Sequence, residues 1–289
     1  MRLGRSTFDW KSPRLPPDPN DSGVGPISWD PQDYARNSRI QEEYGRKQLA
    51  QLGLTGNEAV LDIGCGDGRL TAALAQMVPR GHVLGIDSSP DMIAAARETH
   101  LSRHSNLAFE LIDATALPFQ SEFDLVFSTS ALHWIKDHVP VLKGIRRALK
   151  PNGRMYLTFA ARGTLAALVL AVAALAEDPR WAARFENFEM PYGFYGLEEY
   201  RALLDRFGFV IERLELVERD VTHQGRDAFE GWMRTTGMPY LHCVEPERRQ
   251  AFMRELIDRY LETHPIDAQG LIHVKMFNLL VKARKRANE

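Results

Sequence analysis

The chain has 289 residues, of which 44% are hydrophobic and 26% are charged, and its formal net charge is −2 at pH 7. This size and balance indicate a soluble domain with a sizeable core and room for an elaboration. The slightly negative charge disfavours nucleic acid or an anionic membrane as a partner. The most apolar run, 165–176, is much shorter than the roughly 20 residues that a membrane-spanning helix needs.

The first segment, 1–29, is predicted to be a proline-rich arm outside the core. Five prolines lie between positions 12 and 26 among glycines and polar residues, a composition typical of linkers rather than packed elements. Its role is open between disorder, exchange between subunits and control of a lid. A helix is predicted over 31–52, because Asp30 can cap it and Pro31 suits its first turn.

A buried strand, a glycine turn and the start of a helix are predicted over 60–70. The glycines at 64, 66 and 68 let the backbone approach a ligand closely, and the N–H groups of a helix start can receive a polar or anionic group. The next predicted strand ends in Asp87, 21 residues after Gly66. Nucleotide-binding folds place the carboxylate that binds ribose at about this spacing, so we expect a small-molecule site here.

Strands and helices are predicted to alternate along the middle of the chain. This alternation predicts an α/β protein with a parallel sheet, helices on both faces and a ligand at the carboxyl ends of the strands. The predicted strands are 59–63, 82–87, 107–112, 123–128 and 153–159, followed by two longer ones at 210–221 and 271–282. The predicted helices between them are 68–78, 90–101 and 138–149.

The glycine turn, 62–68, has the form Asp-x-Gly-x-Gly-x-Gly, and Arg69 stands where the dinucleotide fingerprint has its third glycine. A nicotinamide or flavin cofactor is therefore disfavoured. With 87–89, 111–114 and 123–128 in the same order, the turn resembles the motifs of class I S-adenosylmethionine-dependent methyltransferases. The resemblance implies a Rossmann-like, seven-stranded, mostly parallel sheet with a terminal antiparallel pair, and S-adenosylmethionine as the cofactor.

The same resemblance implies how the donor is held. The glycine turn would bind its methionine portion, Asp87 its ribose hydroxyls and Asp113 its adenine amino group, with Met92 against the adenine ring. Asp62 would support the turn or receive the ammonium group of the donor. The alternative for Asp87 and Asp113 is to cap the helices that follow them. The predicted donor residues are Asp62, Gly64, Cys65, Gly66, Gly68, Asp87, Ser88, Met92, Asp113, Ala114 and Ser128.

Two further stretches, 34–41 and 131–137, resemble the juvenile hormone acid and trans-aconitate methyltransferase group, whose members esterify carboxylates of small molecules. By this resemblance, Gln41 and Trp134 would hold the acceptor carboxylate. Tyr34 lies seven residues before Gln41 and hence on the same helical face. The alternative for this helix is simple packing on the sheet.

His133 is the candidate base if the acceptor must lose a proton, because the reference pKa of histidine is about 6.5. A carboxylate acceptor is already ionised at pH 7 and needs no base, so His133 could equally serve a structural role. His223 could face the acceptor or stabilise a turn. The predicted catalytic residues are Tyr34, Gln41, His133 and Trp134. No Cys/His spacing indicates a metal site.

Two helical insertions, 161–196 and 222–266, are rich in aromatic residues. They are predicted to form a lid, because they leave the sheet where the carboxyl ends of its strands should open; the alternative is additional core packing. The rest of the predicted division consists of the arm 1–29, a core 30–160 that includes the lid helix, a core helix and strand 197–221, and a final strand with a basic tail 267–289.

The composition of the insertions favours a largely hydrophobic acceptor, whereas a tricarboxylate would call for converging arginines. The apolar candidates are Leu165, Leu168, Phe185, Phe188, Tyr192, Phe194, Trp232 and Met233. The candidate arginines are Arg162, Arg180, Arg184, Arg226 and Arg234. We expect methyl transfer to the carboxylate of a hydrophobic metabolite. The alternatives are carbon or nitrogen methylation of a specialised metabolite, and donor binding without catalysis.

The two cysteines, Cys65 and Cys243, indicate a reducing compartment rather than a disulfide framework. We therefore expect a cytoplasmic enzyme that acts on a small molecule, with neither nucleic acid nor membrane as a partner. Its state is open between monomer and homo-oligomer.

Overall fold

The computed structural model describes residues 39–286, with side chains from Glu42 onward. The predicted arm 1–29, Tyr34 and the first part of the predicted helix 31–52 lie outside the described residues. The described part of that helix ends at Leu49 rather than at position 52.

Strands and helices alternate in the order that the sequence predicts. The strands are β1 Ala59–Ile63, β2 His82–Asp87, β3 Leu107–Leu111, β4 Phe123–Thr129, β5 Leu149–Ala160, β6 Phe209–Gln224 and β7 Leu271–Lys285. The helices are α1 Arg39–Leu49, α2 Arg69–Met77, α3 Pro90–His100, α4 His138–Ala148, α5 Ala166–Ala176, α6 Ala182–Phe185, α7 Leu197–Arg206, α8 Gly225–Thr236, α9 Met238–His242 and α10 Pro246–Thr263.

The seven strands form one sheet in the order β3-β2-β1-β4-β5-β7-β6. Strands β1 to β5 are parallel, whereas β7 pairs antiparallel with both β5 and β6. This arrangement confirms the predicted seven-stranded, mostly parallel, Rossmann-like sheet and its antiparallel terminal pair. Because the strand order runs outward from β1 in two directions, the crossover helices lie on both faces.

The alternation of side chains along β1 separates the two faces of the core. Ala59, Leu61 and Ile63 pack with α4 and α7 on one face, whereas Val60 packs with α1, α2 and α3 on the other. All four are at most 3% exposed. A strand buried on both faces reads as a continuous apolar run, which is why β1 is recognisable in the sequence.

Strand β5 is longer than its prediction, 153–159, because it begins at Leu149. The first part of β5 was not predicted because it contains Pro151 and Gly153, and both residue types are rare inside strands. The ladder accommodates them through a register shift, in which Phe123 of β4 pairs with Leu149 but Leu125 already pairs with Arg154.

Strands β6 and β7 extend beyond the end of β5 and carry a second helical layer. Ala160, the last residue of β5, pairs with Asn278, so the first seven residues of β7 continue past it. Val221, Ile272 and Val274 of this extension belong to a hydrophobic cluster with α5, α8, α9 and α10. We call α5, α6, α8, α9 and α10 the outer helices; they lie on the side where the parallel strands have their carboxyl ends.

The two insertions meet around Phe252, which is fully buried. Its ring centroid lies 5.2 Å from that of Trp181 and 5.4 Å from that of Phe185. One turn further along α10, the Glu255 carboxylate accepts hydrogen bonds from Arg180 and from the Trp181 indole. The outer helices are therefore joined by one aromatic core with an ion-paired rim.

Among residues 39–286, no helix has the length and apolar character needed to cross a membrane.

Replacement of Phe252 by alanine should lower the free energy of unfolding by about 3–5 kcal/mol, because it leaves a cavity between two aromatic rings. The free energy would be measured by chemical denaturation. Leu170→Ala is the matched control, since Leu170 is also on an outer helix but is 71% exposed, and we expect a change within about 0.5 kcal/mol. Equal effects of the two changes would contradict the packing described here.

Candidate active site

The carboxyl ends of β1 to β4 meet at one edge of the sheet, where a cavity of about 380 Å³ opens. We call it the donor cavity. Parallel strands bring their ends together at such an edge, so residues distant in sequence share one site. The predicted donor residues that line this cavity are Gly64, Gly66, Asp87, Ser88, Met92, Asp113 and Ala114.

The glycine turn is held against the end of β2. The N–H groups of Gly64 and Cys65 both donate to the carbonyl oxygen of Ile86, at 2.8 and 3.0 Å. Gly64 has φ +72°, and a Cβ at this position would overlap the side chain of Ala131. Glycine is therefore required here both for backbone conformation and for the close approach of the loop after β4.

Asp87 joins β2 to the glycine turn while lining the cavity. One carboxylate oxygen accepts from the N–H of Gly66 and the other from the N–H of Ser89, both at 2.9 Å. Burial raises the pKa of Asp87, and these hydrogen bonds oppose that shift. Each oxygen retains further acceptor capacity, which a ligand hydroxyl could use.

Asp113 and Met92 occupy neighbouring walls of the same cavity. The Asp113 carboxylate accepts from the backbone N–H and the hydroxyl of Thr115, both at 2.8 Å, and so caps the short 3₁₀ turn that follows β3. The alternative role as a cap is thus compatible with a position at the cavity. Met92 is 3% exposed and presents an apolar surface.

Four predicted donor residues do not line the donor cavity, and one of them, Asp62, lies in a smaller cavity beside it. Ser128 is fully buried, and its hydroxyl donates to the carbonyl oxygen of Ile63. Gly68 precedes α2 and lies against Phe109, where a Cβ would not fit. Cys65 instead faces a small adjoining cavity.

Ser130 takes the position in the donor cavity that the sequence assigned to Ser128. Its φ of +56° is uncommon for a residue with a side chain, and its N–H donates to the Thr158 carbonyl oxygen. This conformation turns the chain at the end of β4. Strand alternation alone cannot locate the turn, since Ser128, Thr129 and Ser130 are chemically similar.

The small adjoining cavity, which we call the acidic cavity, contains Asp62, Glu42 and Asp67, and Arg69 is the one basic side chain in its described lining. Asp62 is 2% exposed and accepts from the hydroxyl of Thr71 at 2.7 Å. Burial raises the pKa of Asp62 to about 7, and the neighbouring Asp87 carboxylate adds to the shift. The cavity adjoins the donor cavity at Gly64, Gly66 and Ser130.

A further cavity, which we call the acceptor cavity, lies between the sheet edge and the outer helices. Ser130 and Trp134 line both it and the donor cavity. Of the apolar candidates, Leu165, Tyr192, Phe194 and Trp232 line the acceptor cavity. Leu168, Phe185, Phe188 and Met233 pack instead in the hydrophobic cluster of the outer helices.

The first insertion is fastened to the turn that carries His133 and Trp134. The Gly193 N–H donates to the His133 carbonyl oxygen at 2.9 Å, and a Cβ on Gly193 would strike the backbone of Ile135. The Tyr192 ring lies edge-on to that of Trp134, with centroids 4.8 Å apart. This backbone contact fixes the aromatic wall of the acceptor cavity.

His133 lines the acceptor cavity, and its buried Nδ1 has no hydrogen-bond partner among the described residues. Burial lowers the pKa of His133 to about 3, with a smaller contribution from His138. The imidazole is therefore neutral at physiological pH and is a weak base. His138, which sequence reasoning missed, hydrogen-bonds the Leu132 carbonyl oxygen and the Tyr200 hydroxyl, and so supports the same turn.

The candidate arginines do not converge on a site. Arg162, Arg180, Arg184, Arg226 and Arg234 all form ion pairs with carboxylates on the outer surface.

Arg219 of β6, which was not a candidate, lines the acceptor cavity. No sequence signal marked it, because it is one of six charged residues in β6. His223 is 4% exposed and is buried within the outer helical layer. The centroid of its ring lies 4.7 Å from that of the Trp232 ring.

The backbone of Gln41 lies in the first turn of α1, but the structure does not describe its side chain. Tyr34 lies wholly outside the described residues. Their predicted contacts with the acceptor therefore remain predictions. In the part of the chain that the structure describes, no group of three or more His, Cys, Asp or Glu side chains is placed to hold a metal ion.

The family to which this site belongs is given by comparison with known proteins. The model of the methyltransferase domain family matches residues 54–205. An uncharacterized methyltransferase, C70.08c, of Schizosaccharomyces pombe is 34% identical over 219 residues, which are 74% of this chain and 82% of that protein. The chain belongs to this methyltransferase family and is an S-adenosylmethionine-dependent enzyme, which confirms the predicted class and cofactor.

Further comparisons agree in fold and in group. A trans-aconitate 2-methyltransferase of Methylobacterium radiotolerans is 27% identical over 275 residues, covering 89% of this chain and 98% of that protein. The structure of phosphoethanolamine N-methyltransferase 2 of Haemonchus contortus, in complex with S-adenosyl-L-methionine, has a TM-score of 0.56 at 19% identity. It covers 89% of this chain and 57% of that chain, and it supports the fold.

Asp87→Asn should weaken the binding of S-adenosylhomocysteine by roughly 10- to 150-fold, since a hydrogen bond to a charged group contributes about 1.5–3 kcal/mol. Calorimetry would measure the dissociation constant. Asp124→Asn is the matched control, because Asp124 also accepts a backbone N–H but lies at the start of β4, the opposite edge of the sheet. An unchanged constant for the Asp87 variant would refute the ribose assignment.

The affinity for S-adenosylhomocysteine should rise about tenfold between pH 6 and pH 8. Asp62, with a pKa of about 7, is mostly protonated at pH 6, and an ammonium group binds its ionised form, so binding releases a proton and tightens as pH rises. Asp62→Asn should abolish this dependence. A pH-independent affinity in the wild-type protein would mean that Asp62 only supports the glycine turn.

Proposed function

We propose that this methyltransferase transfers a methyl group to a carboxylate oxygen of a small molecule, forming a methyl ester. One observation carries the proposal: the described residues that line the acceptor cavity include no effective base at neutral pH. His133 has a pKa of about 3, and burial raises the pKa of Tyr192 well above its usual range. An acceptor that is already an anion suits such a cavity, because it need not lose a proton.

S-adenosylmethionine fits the residues of the donor cavity. Asp87 would accept hydrogen bonds from its ribose hydroxyls and Asp113 one from its adenine amino group, while Met92 would contact the adenine ring. Asp62, in the acidic cavity, would receive its ammonium group. When bound, this cofactor supplies a methyl group on a positively charged sulfur.

The reaction would be a direct displacement. A carboxylate oxygen of the acceptor forms a bond to the methyl carbon while the bond from that carbon to sulfur breaks, and its electron pair remains on sulfur. An anion and a cation become two neutral groups, with no proton transferred. The protein therefore contributes mainly by alignment at the boundary formed by Ser130 and Trp134 and by exclusion of water.

The acceptor would be oriented by donors next to that boundary. Trp134 lines both cavities, and with Gln41 it would hold the reacting carboxylate. The outer helices, through Tyr192, Phe194 and Trp232, would cover the bound acceptor and act as a lid. Similarity to trans-aconitate 2-methyltransferases supports a carboxylate acceptor.

The proposal is tested with purified protein, methyl-labelled S-adenosylmethionine and a pool of small carboxylic acids, amines and enols. Labelled products are read by mass spectrometry before and after mild alkali. We expect product label that is lost in alkali, as for a methyl ester. The Asp87→Asn variant is the control for donor-dependent labelling. Alkali-stable label on nitrogen or carbon would overturn the proposal.

A further inference from the structure

Arg219 presents a guanidinium group to the acceptor cavity without a carboxylate partner among the described residues. It lies on β6 opposite Met276 of β7, and Asn278 lies two residues further along β7 on the same face of the sheet. Met276 and Asn278 line the same cavity. The strand register therefore brings a cation and an amide to one wall.

Within the described lining of the cavity, the charge of Arg219 is uncompensated. This described lining contains no aspartate or glutamate, and Arg219 is its only basic side chain that is charged at neutral pH, because His133 is neutral. Burial lowers the pKa of Arg219, which means that its charge lacks part of its solvation. A bound oxyanion would compensate for that loss through paired hydrogen bonds from the planar guanidinium.

Asn278 adds a second unsatisfied group beside Arg219. It is 3% exposed, and its Oδ1 has no hydrogen-bond partner within residues 42–286. Because the amide oxygen and nitrogen can exchange places by rotation, the side chain can offer either an acceptor or two donors to a ligand. A buried amide oxygen without a partner is costly, so a ligand group is expected to meet this side chain.

The arginine lies away from the reacting position. Ser130 and Trp134 line both the donor and the acceptor cavity, whereas Arg219 and Asn278 line only the acceptor cavity. A guanidinium on the reacting carboxylate would also withdraw negative charge from the attacking oxygen. Both considerations favour contact between Arg219 and a part of the acceptor that does not react.

We infer that Arg219 and Asn278 form a subsite for a second carboxylate of the acceptor, which stays unmethylated, and that this subsite makes the enzyme select polycarboxylates over monocarboxylates. The inference rests on the proposed function. Tyr44 of α1 is the positioning residue: its ring lies 3.8 Å from the Arg219 guanidinium, and its hydroxyl is 2.9 Å from that of Thr158.

The test measures binding by calorimetry in the presence of S-adenosylhomocysteine. The probes are the dicarboxylates pentanedioate and hexanedioate, each compared with its monoamide, which has a single carboxylate. The wild-type protein should bind each acid at least tenfold more tightly than its amide. Arg219→Gln should remove this preference while leaving the affinity for S-adenosylhomocysteine unchanged, and Arg219→Lys should retain part of it.

Two further variants separate position from charge. Arg213→Gln is the matched control, since Arg213 lies on the same strand but is exposed and paired with Glu215, and it should keep the full preference. Tyr44→Phe, which retains the ring, should keep most of the preference, whereas Tyr44→Leu should reduce it. For each variant the measured quantity is the ratio of the affinity for the acid to the affinity for the amide. A general loss of stability would lower both affinities together and leave this ratio unchanged.

The inference is overturned if Arg219→Gln keeps the preference, or if neither acid binds the wild-type protein more tightly than its amide. Its failure is distinguishable from failure of the proposed function. Loss of preference in the variant together with alkali-stable products would leave the subsite in place and reject ester formation. Alkali-labile products, together with an Arg219→Gln variant that keeps the preference for the acid, would support ester formation and reject the subsite.

Discussion

The hydrogen bonds that attach the glycine turn to the end of β2 are the constraint on which the rest of the site depends. Gly64 and Cys65 share the Ile86 carbonyl oxygen, and Gly66 donates to Asp87. These bonds keep the chain from continuing as a strand after Ile63, and they place the start of α2 beside the cavity. The same carboxylate that secures the turn also lines the cavity, so one side chain would serve both local folding and the proposed recognition of the donor.

A second constraint is the length of the β6–β7 ribbon. A seven-stranded sheet that stopped at the end of β5 would leave the acceptor side open to water. Because β6 and β7 continue past Ala160, their apolar side chains support the outer helices while Arg219 and Asn278 line the acceptor cavity together with Ser130. One antiparallel pair thus both supports the outer layer and supplies the polar wall beneath it. The roles divide along the length of the strands, because Val221, Ile272 and Val274 lie on the same face as Arg219 and Asn278 but further along the extension.

The part of the fold and site that is predictable from sequence is the part encoded by local patterns. Buried strands read as apolar runs, and the residues at their ends, such as Asp87, are placed at one edge of the sheet by spacing alone. The position of Ser130 is not predictable in this way. Its own backbone adopts a left-handed conformation, and it stands in a run of three hydroxyl side chains whose sequence does not show where the chain turns. The position of Arg219 is not predictable either. It differs from Arg213, the exposed arginine of the same strand, only through the cavity around it, whose lining comes from distant parts of the sequence.

The electrostatic character of the three cavities supports the proposed direction of transfer. In the acidic cavity, Arg69 pairs with Glu42 and Asp67, so that Asp62 would be left to meet the ammonium end of the donor. The cationic wall of the acceptor cavity suits an anion. The boundary between donor and acceptor cavities, formed by Ser130 and Trp134, carries no formal charge. The positively charged sulfur of the donor and the reacting carboxylate would attract each other across this neutral boundary, and methyl transfer would cancel both charges. After transfer the ester has lost the charge at that boundary, and its attraction to the positively charged sulfur has gone, so the chemistry itself favours release of the product.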